Sequence, residues 1–512
     1  MAQNMIKKII AIILCISLFG AIALTMAGCQ NNENTDDRHI VVTYFYGEDL
    51  PRDVDLVEAA INDYLKEINA NLTIEYYPIS VYQQNYTTIL MTDSIDLMCV
   101  AFGSSPLYYA EMEMIQTITD EEIAEFCPNI SKMNKEYDMM VRDADGTIVG
   151  VSTREMGVYG GGCYLIRESD LEAIGLKDQY QDNTPVTYED LETIFKKLKE
   201  KFPDSYPIGT KLDESGYCVA LDPLGSAKKA SGVLSFSDNG MESTEVVNYY
   251  ETDAYVDYCK FMAKCLQNGW LDPEAETSTV SKNAAFNNGV SRGMWLQGNL
   301  GLRDSASADA GEPCVRLQVV APYSVPLRAE GITWAVAGTS EKKEATLEFL
   351  DLFWSDKKLM NMIQWGIEGK HFEVVDEENC IIKFAEGLTA ETSGYYMGGG
   401  FYGDKRYIYS YQSTLMTLEE QIQARTEQLK EMDNAAKNTS PAGNFVYDAS
   451  KHNITIKNIE SVIDRYGNIM ALGGYNESLY NEFVNALKAA GIDEVIADKQ
   501  TQLDNYLAGI GA

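Results

Sequence analysis

The chain has 512 residues, more than a single hydrophobic core usually supports, so two or more lobes are expected. Its 77 acidic residues outnumber the 41 basic ones, giving a net charge of −36, and 45% of the residues are apolar. That balance describes a globular protein whose surface repels nucleic acid and anionic lipid, and it disfavours an anionic ligand unless the pocket is locally basic.

Residues 1–28 stand apart. Lys7 and Lys8 precede an apolar run from Ile9 to Met26, then Ala27, Gly28 and Cys29. This pattern reads as a secretory signal with its cleavage region. The run is also long enough to span a bilayer, so an uncleaved anchor is the alternative. Met26-Ala27-Gly28-Cys29 resembles the bacterial lipobox, although that motif prefers Leu where Met26 stands. The resemblance implies that Cys29 is acylated and becomes the new N-terminus, holding the protein on a membrane. Asn31 to Asp37 is wholly polar and reads as a flexible tether within 29–38.

His39 to Phe45 is a β-rich run, and Asp53 to Ile68 carries Val57, Ala60, Ile61, Tyr64, Leu65 and Ile68 at helical spacing. Leu72, Ile74 and Tyr76 alternate as in a strand. Val81 to Met91 reads as a helix, and Ile95 to Phe102 as another strand. Such alternation predicts a parallel sheet with crossover helices. Ligands then bind at the carboxyl ends of the strands, here Tyr46-Gly47-Glu48 and Gly103-Ser104-Ser105-Pro106. Val141 to Val151 reads as a hairpin turned at Asp145-Gly146. Asp143-x-Asp145-Gly146 also looks like a calcium-loop fragment, but it lacks the later Glu ligand.

A second α/β region follows. Cys163 to Ile166 is a strand, and Glu189 to Lys201 and Asp253 to Asn268 are helices. Arg316 to Ala321 and Ile332 to Ala337 are β-like, broken by Pro322 and Pro326. Glu344 to Trp354 and Lys357 to Trp365 are helical, and 394–407 is dense in Gly and Tyr. Leu415 to Lys437 is a long charged helix. Glu477 to Ala490 and Ile492 to Leu507 are amphipathic helices parted by Gly491.

Ten cysteines occur. Apart from Cys15 in the signal and Cys29, the eight others form no Cys-x-x-Cys pair and lie in apolar stretches, which favours buried free thiols. No metal or other cofactor is indicated. Only His39, His371 and His452 are present, and no HExxH, GxSxG or P-loop occurs. Gly157-x-x-Gly160-Gly161-Gly162 lacks dinucleotide spacing and reads as tight turns. A glycosidase carboxylate pair among the acidic residues is the enzyme alternative.

Several segments resemble family 1 extracellular solute-binding proteins, the sugar-binding subunits of ABC importers. They are Tyr82-x-x-x-Tyr86-x-x-x-Leu90 with Ser94 to Leu97, Asn283 to Trp295, Trp334 to Gly338 with the helix to Trp354 and Asp356, and Gly366 to Phe372. The last, with 476–507, resembles a subgroup with a long C-terminal extension. The resemblance implies an α/β, type II periplasmic-binding-protein-like fold of two lobes. Each lobe would be a mostly parallel sheet flanked by helices, with a C-terminal helical extension. By analogy the N-terminal lobe takes 39–152 and 337–390, and the C-terminal lobe takes 153–336 and 391–512. The crossings fall near 151–154, 332–338 and 388–396. It further implies a monomer outside the cell membrane that closes on a solute and hands it to ABC permease subunits. The alternatives are a surface glycoside hydrolase and a lipoprotein adhesin or sensor ectodomain.

A neutral sugar needs aromatic plates for its C–H faces and a few polar groups for its hydroxyls. The candidate ligand-binding residues are Tyr46, Ser104, Arg154, Glu155, Trp295, Trp365 and Tyr402. Trp295 and Trp365 are equally well read as core residues, and Arg154–Glu155 as a surface ion pair. Trp354 sits among Phe349, Leu350 and Phe353 and reads as core.

Overall fold

The computed structural model describes residues 38–510 except 82–86, 90–93, 101–105, 135–138, 144–145, 153–157, 160, 210–217, 226–227, 276, 298–301, 326–331, 398–402, 405 and 444. The β-branched and aromatic run His39–Tyr46 forms the strand on which the first sheet is built. It pairs in parallel with Thr73–Ser80 from His39 opposite Thr73 to Tyr46 opposite Ser80, and in parallel with Leu97–Val100. The helix Val54–Glu67 makes the first crossover and buries Val54, Val57, Ile61 and Leu65, a spacing of three and four. Thr333–Val336 returns from far along the chain and inserts antiparallel between Leu97–Val100 and Ile148–Ser152, with Met140–Arg142 at the edge.

The boundary expected at 336–337 is therefore corrected. Thr333, Trp334, Ala335 and Val336 are all buried and bonded to the first sheet. Tyr395, Met397 and Ile408 also sink into the first core, although 391–412 was expected in the second lobe.

The second sheet has the order Thr184–Pro185, Cys314–Gln318, Gly162–Arg167, Ser291–Gln297, Tyr206–Ile208. Its inner pairs are antiparallel and its outer pairs parallel. Both sheets are thus mixed, since each lobe receives strands from chain that enters and leaves it. Three C-terminal helices, Asn453–Ile469, Glu477–Ala490 and Ile492–Ile510, join the second core through Ile459, Phe483, Leu487, Ile492 and Val495. Gly491 turns between the last two at φ 100°, a left-handed conformation that glycine adopts without strain.

Two crossings run side by side, with Val158–Tyr159 antiparallel to Tyr323–Ser324. Gly161 lies at this point because a Cβ there would stand 1.6 Å from the Val320 carbonyl oxygen. The third crossing is not at 388–396. The chain stays with the first lobe through Ser410–Tyr411, then enters the helix Leu418–Lys437, opened by a capping box of Thr417 and Glu420. That helix is tied to the second sheet by Arg316, which bonds Asp182 at 3.0 Å and Glu431 at 3.4 Å. Burial opposes ionisation of Asp182, but the Arg316 guanidinium outweighs it and holds the carboxyl below its ordinary pKa.

The eight described cysteines are buried and unpaired with one another. No helix among the described residues is long and apolar enough to cross a membrane.

Candidate functional site

The first lobe offers a sheet edge. Tyr46 ends the first strand half-buried, its carbonyl accepting from the Val81 amide at 2.8 Å. Ser80 Oγ donates to the Gly47 carbonyl at 2.9 Å and closes this corner. Tyr396 stands over it, half exposed. Its hydroxyl is 3.5 Å from where a Gly47 Cβ would be, and its carbonyl accepts from the Tyr44 hydroxyl at 2.8 Å. Beneath lie Tyr44, Tyr76 and Tyr395, tilted on one another with ring centres 5.0 and 5.8 Å apart. Burial pushes the Tyr395 and Tyr44 hydroxyls well above their ordinary pKa, so they act as neutral donors.

The segment carrying Tyr396 is pinned from behind. The Asp53 amide donates to the Gly394 carbonyl at 3.0 Å. His371 Nδ1 accepts from the Ile367 amide at 2.8 Å, and its Nε2 lies 3.2 Å from the Asp53 carboxylate. The Arg52 guanidinium beside Asp53, helped by His371 and Lys370, holds that carboxyl well below the usual range.

The second lobe offers a hollow. A cavity of about 590 Å³ opens where Cys314–Gln318 runs out through Val319 to Tyr323, beside Asn438. It therefore lies at the carboxyl end of an inner strand and at the root of the crossing at Tyr323–Ser324, where open α/β sheets bind ligands. Tyr188 forms one wall as the first residue of the helix Tyr188–Lys201, whose N-cap Thr187 and Asp190 make a capping box. Its ring stacks on Phe261 with centres 4.5 Å apart and planes 17° apart, and burial raises its hydroxyl pKa, with Cys218 close by. Phe236 forms the opposite wall, edge-on to Tyr323 at 5.7 Å. The Tyr323 hydroxyl is held by the backbone of Leu221, donating to its carbonyl and accepting from its amide, each at 3.1 Å. Asp257, Thr187 and Ser237 are exposed at the lining and can bond hydroxyl groups. The lining thus combines aromatic and aliphatic faces with a few polar groups. Among the described residues no group of His, Cys, Asp or Glu could hold a metal ion.

Residues 441–508 match a family model described as a domain of unknown function, DUF3502. The chain is 23% identical over 508 residues to a Streptococcus pneumoniae protein named "Carbohydrate ABC transporter substrate-binding protein" (serotype 4, strain ATCC BAA-334 / TIGR4), covering 95% of this chain and 96% of that one. It superposes on the N-glycan transport solute binding protein NgtS of S. pneumoniae with a TM-score of 0.72 at 18% identity, over 92% of this chain and 99% of NgtS. With the S. pneumoniae substrate-binding protein FusA in complex with kestose the TM-score is 0.56 at 16% identity, over 92% and 100%. The fold is that of a two-lobed solute-binding protein.

Within that fold the sequence candidates separate. Tyr46 ends the first strand at the edge of the first lobe, half-buried. Trp295 does not line a cleft. It is 2% exposed in the second core, edge-on to Tyr164 at 5.6 Å and Phe261 at 6.4 Å, because its face of the strand packs under helices. Trp365 is half-buried in a satellite cluster with Phe372, Cys380, Ile382 and Tyr409. Its Nε1 donates to the Tyr409 carbonyl at 3.0 Å, and it is not among the residues lining the second-lobe cavity. Cys29, Ser104, Arg154, Glu155 and Tyr402 lie outside the described residues. Tyr188, Phe236, Tyr323 and Tyr396 were not singled out. A signal existed for Tyr188 in the Thr187-x-x-Asp190 cap at the head of an anticipated helix, and for Tyr396 in the Tyr-rich segment.

Proposed function

We propose that this chain is the extracytoplasmic solute-binding subunit of an ABC importer, capturing a neutral oligosaccharide between its lobes and releasing it uncleaved to the permease. The observation that carries this reading is the cavity of about 590 Å³ rooted at the crossing at Tyr323–Ser324 and walled by Tyr188 and Phe236. Aromatic faces suit the C–H surface of a pyranose, and the exposed Asp257, Thr187 and Ser237 suit its hydroxyls. A cavity at a crossing gains contacts from the other lobe when the lobes close. The strongly acidic composition favours an uncharged solute over a phosphorylated one. The nature of the relatives supports an oligosaccharide, since NgtS was solved with Man1GlcNAc and Man5GlcNAc and FusA with kestose. Acylation at Cys29 would anchor the monomer to the outer face of the membrane.

Titration calorimetry with kestose, Man1GlcNAc and Man5GlcNAc tests the reading. Saturable binding of at least one, with the sugar recovered intact by mass spectrometry, is expected. Hydrolysed product, or no binding to these and a wider oligosaccharide panel, would remove it.

A further inference from the structure

We propose that the C-terminal unit, residues 441–508, is a clamp that holds one wall of the solute cavity in shape, with Lys499 as its positioning residue. The proposal rests on the solute reading only for what the wall is for. The wall is a three-stranded antiparallel sheet, Leu221–Asp222, Val233–Ser235 and Val246–Val247. The residues that flank its strands, Ala220, Phe236 and Met241, line the cavity, and Cys218 leads into the first strand. Its other connections reach the C-terminal helices.

Lys499, on the helix Ile492–Ile510, is completely buried. Its ammonium donates to the Pro223 carbonyl at 2.7 Å, Ser231 Oγ at 2.8 Å and the Gly232 carbonyl at 2.9 Å, and it lies 5.3 Å from the centre of the Tyr447 ring. All three acceptors belong to the connection between the first two strands of the wall. Taking an ammonium fully out of water is costly, and an apolar side chain would fill the same space without that cost. What the ammonium adds is direction, because it fixes three oxygens at one point.

Adjacent contacts act on the same sheet. The Gln500 side chain accepts from the Val246 amide at 2.7 Å and donates to the Thr244 carbonyl at 3.1 Å. The Tyr447 amide donates to the Leu224 carbonyl at 3.2 Å. A Cβ on Gly232 would meet Ile496 at 2.7 Å, so the helix is pressed directly on the connection. The C-terminal unit thus holds the connection between the first two strands and the start of the third, while Tyr323, itself on the cavity lining, holds Leu221 of the first.

Cys218 reports on the wall without any sugar, because it lines the cavity and is only 8% exposed. The full chain, Lys499→Met and Gln500→Ala are treated with N-ethylmaleimide under native conditions, and each thiol is followed by peptide mass. Cys218 is expected to react about tenfold faster in Lys499→Met and about threefold faster in Gln500→Ala, with Cys99 and Cys127 of the first lobe unchanged. Gln500→Ala decides the matter if Lys499→Met does not fold. Unchanged Cys218 reactivity in the folded variants would overturn the clamp. So would a rise shared equally by Cys259 and Cys265, which marks general loosening of the second lobe. For any of the three oligosaccharides bound by the wild type, affinity is expected to fall about tenfold in Lys499→Met, and unchanged affinity would also overturn the clamp. A chain that passes the labelling test and binds no oligosaccharide keeps the clamp and loses the solute reading.

Discussion

The two lobes contribute unequally to the candidate site. The first lobe presents the end of a strand, with Tyr46 and Tyr396 standing on a bed of buried tyrosines. The second lobe presents a hollow walled by Tyr188, Phe236 and the outgoing segment Val319 to Tyr323. An edge can change partners cheaply, whereas a hollow must keep its shape before a ligand arrives. The structural reinforcement follows that need, since the second lobe carries the extra helices and the buried lysine. The second lobe is therefore expected to supply most of the binding energy, and the first lobe to complete the enclosure.

The largest effect should come from a residue outside the site. Trp295→Ala empties a filled region of the second core and should cost about 3–5 kcal/mol of stability, read from urea unfolding, with sugar affinity of the folded protein unchanged. Lost affinity at full stability would return Trp295 to the site. Next, Tyr188→Ala should weaken oligosaccharide binding about 30-fold, or about 2 kcal/mol, by calorimetry. Tyr46→Ala and Tyr396→Ala should each cost only about fivefold, roughly 1 kcal/mol. A larger loss at Tyr46 than at Tyr188 would reverse the comparison between lobes.

The smallest effect concerns pH. Burial lowers the His371 pKa, with Asp53 opposing and the Lys370 and Arg52 cations adding to the fall. The neutral ring accepts the Ile367 amide at Nδ1, a bond that protonation there would break. A folded pKa below the unfolded value near 6.5 means that this contribution is complete above about 6.5 and is lost as pH falls toward the lowered folded value. The protection of the amides of 366–397, measured against their intrinsic exchange rates, should therefore decline as pH falls below about 6.5. His371→Phe should remove that dependence, and a slope that persists in the variant would assign it to another group.

Much of the framework was legible because local pattern and tertiary role agree. The strand at His39 and the helices over 54–67, 189–201 and 477–490 carry their burial in their periodicity. Trp295 was harder, because strand alternation says which residues share a face but not which face is covered. The third crossing was misplaced because a Gly- and Tyr-rich stretch resembles an exposed connection, yet Tyr395 and Met397 are driven into the first core. The cavity was illegible for a different reason. Its walls come from 186–188, 218, 220, 236–237, 241, 254, 257, 319–323 and 438, and only the folded chain makes them neighbours.

The position of Thr333–Val336 has a consequence for how this molecule is made. It fills the middle of the first sheet, between Leu97–Val100 and Ile148–Ser152, and follows even the later of these neighbours by 333 − 152 = 181 positions. During synthesis the lobe that begins first must therefore wait, its centre vacant, until most of the other lobe has emerged. The wall held by Lys499 waits longer still, until the helix Ile492–Ile510 has emerged. A nascent chain stopped short of either point could form helices and edges, but it would have nowhere to put a guest.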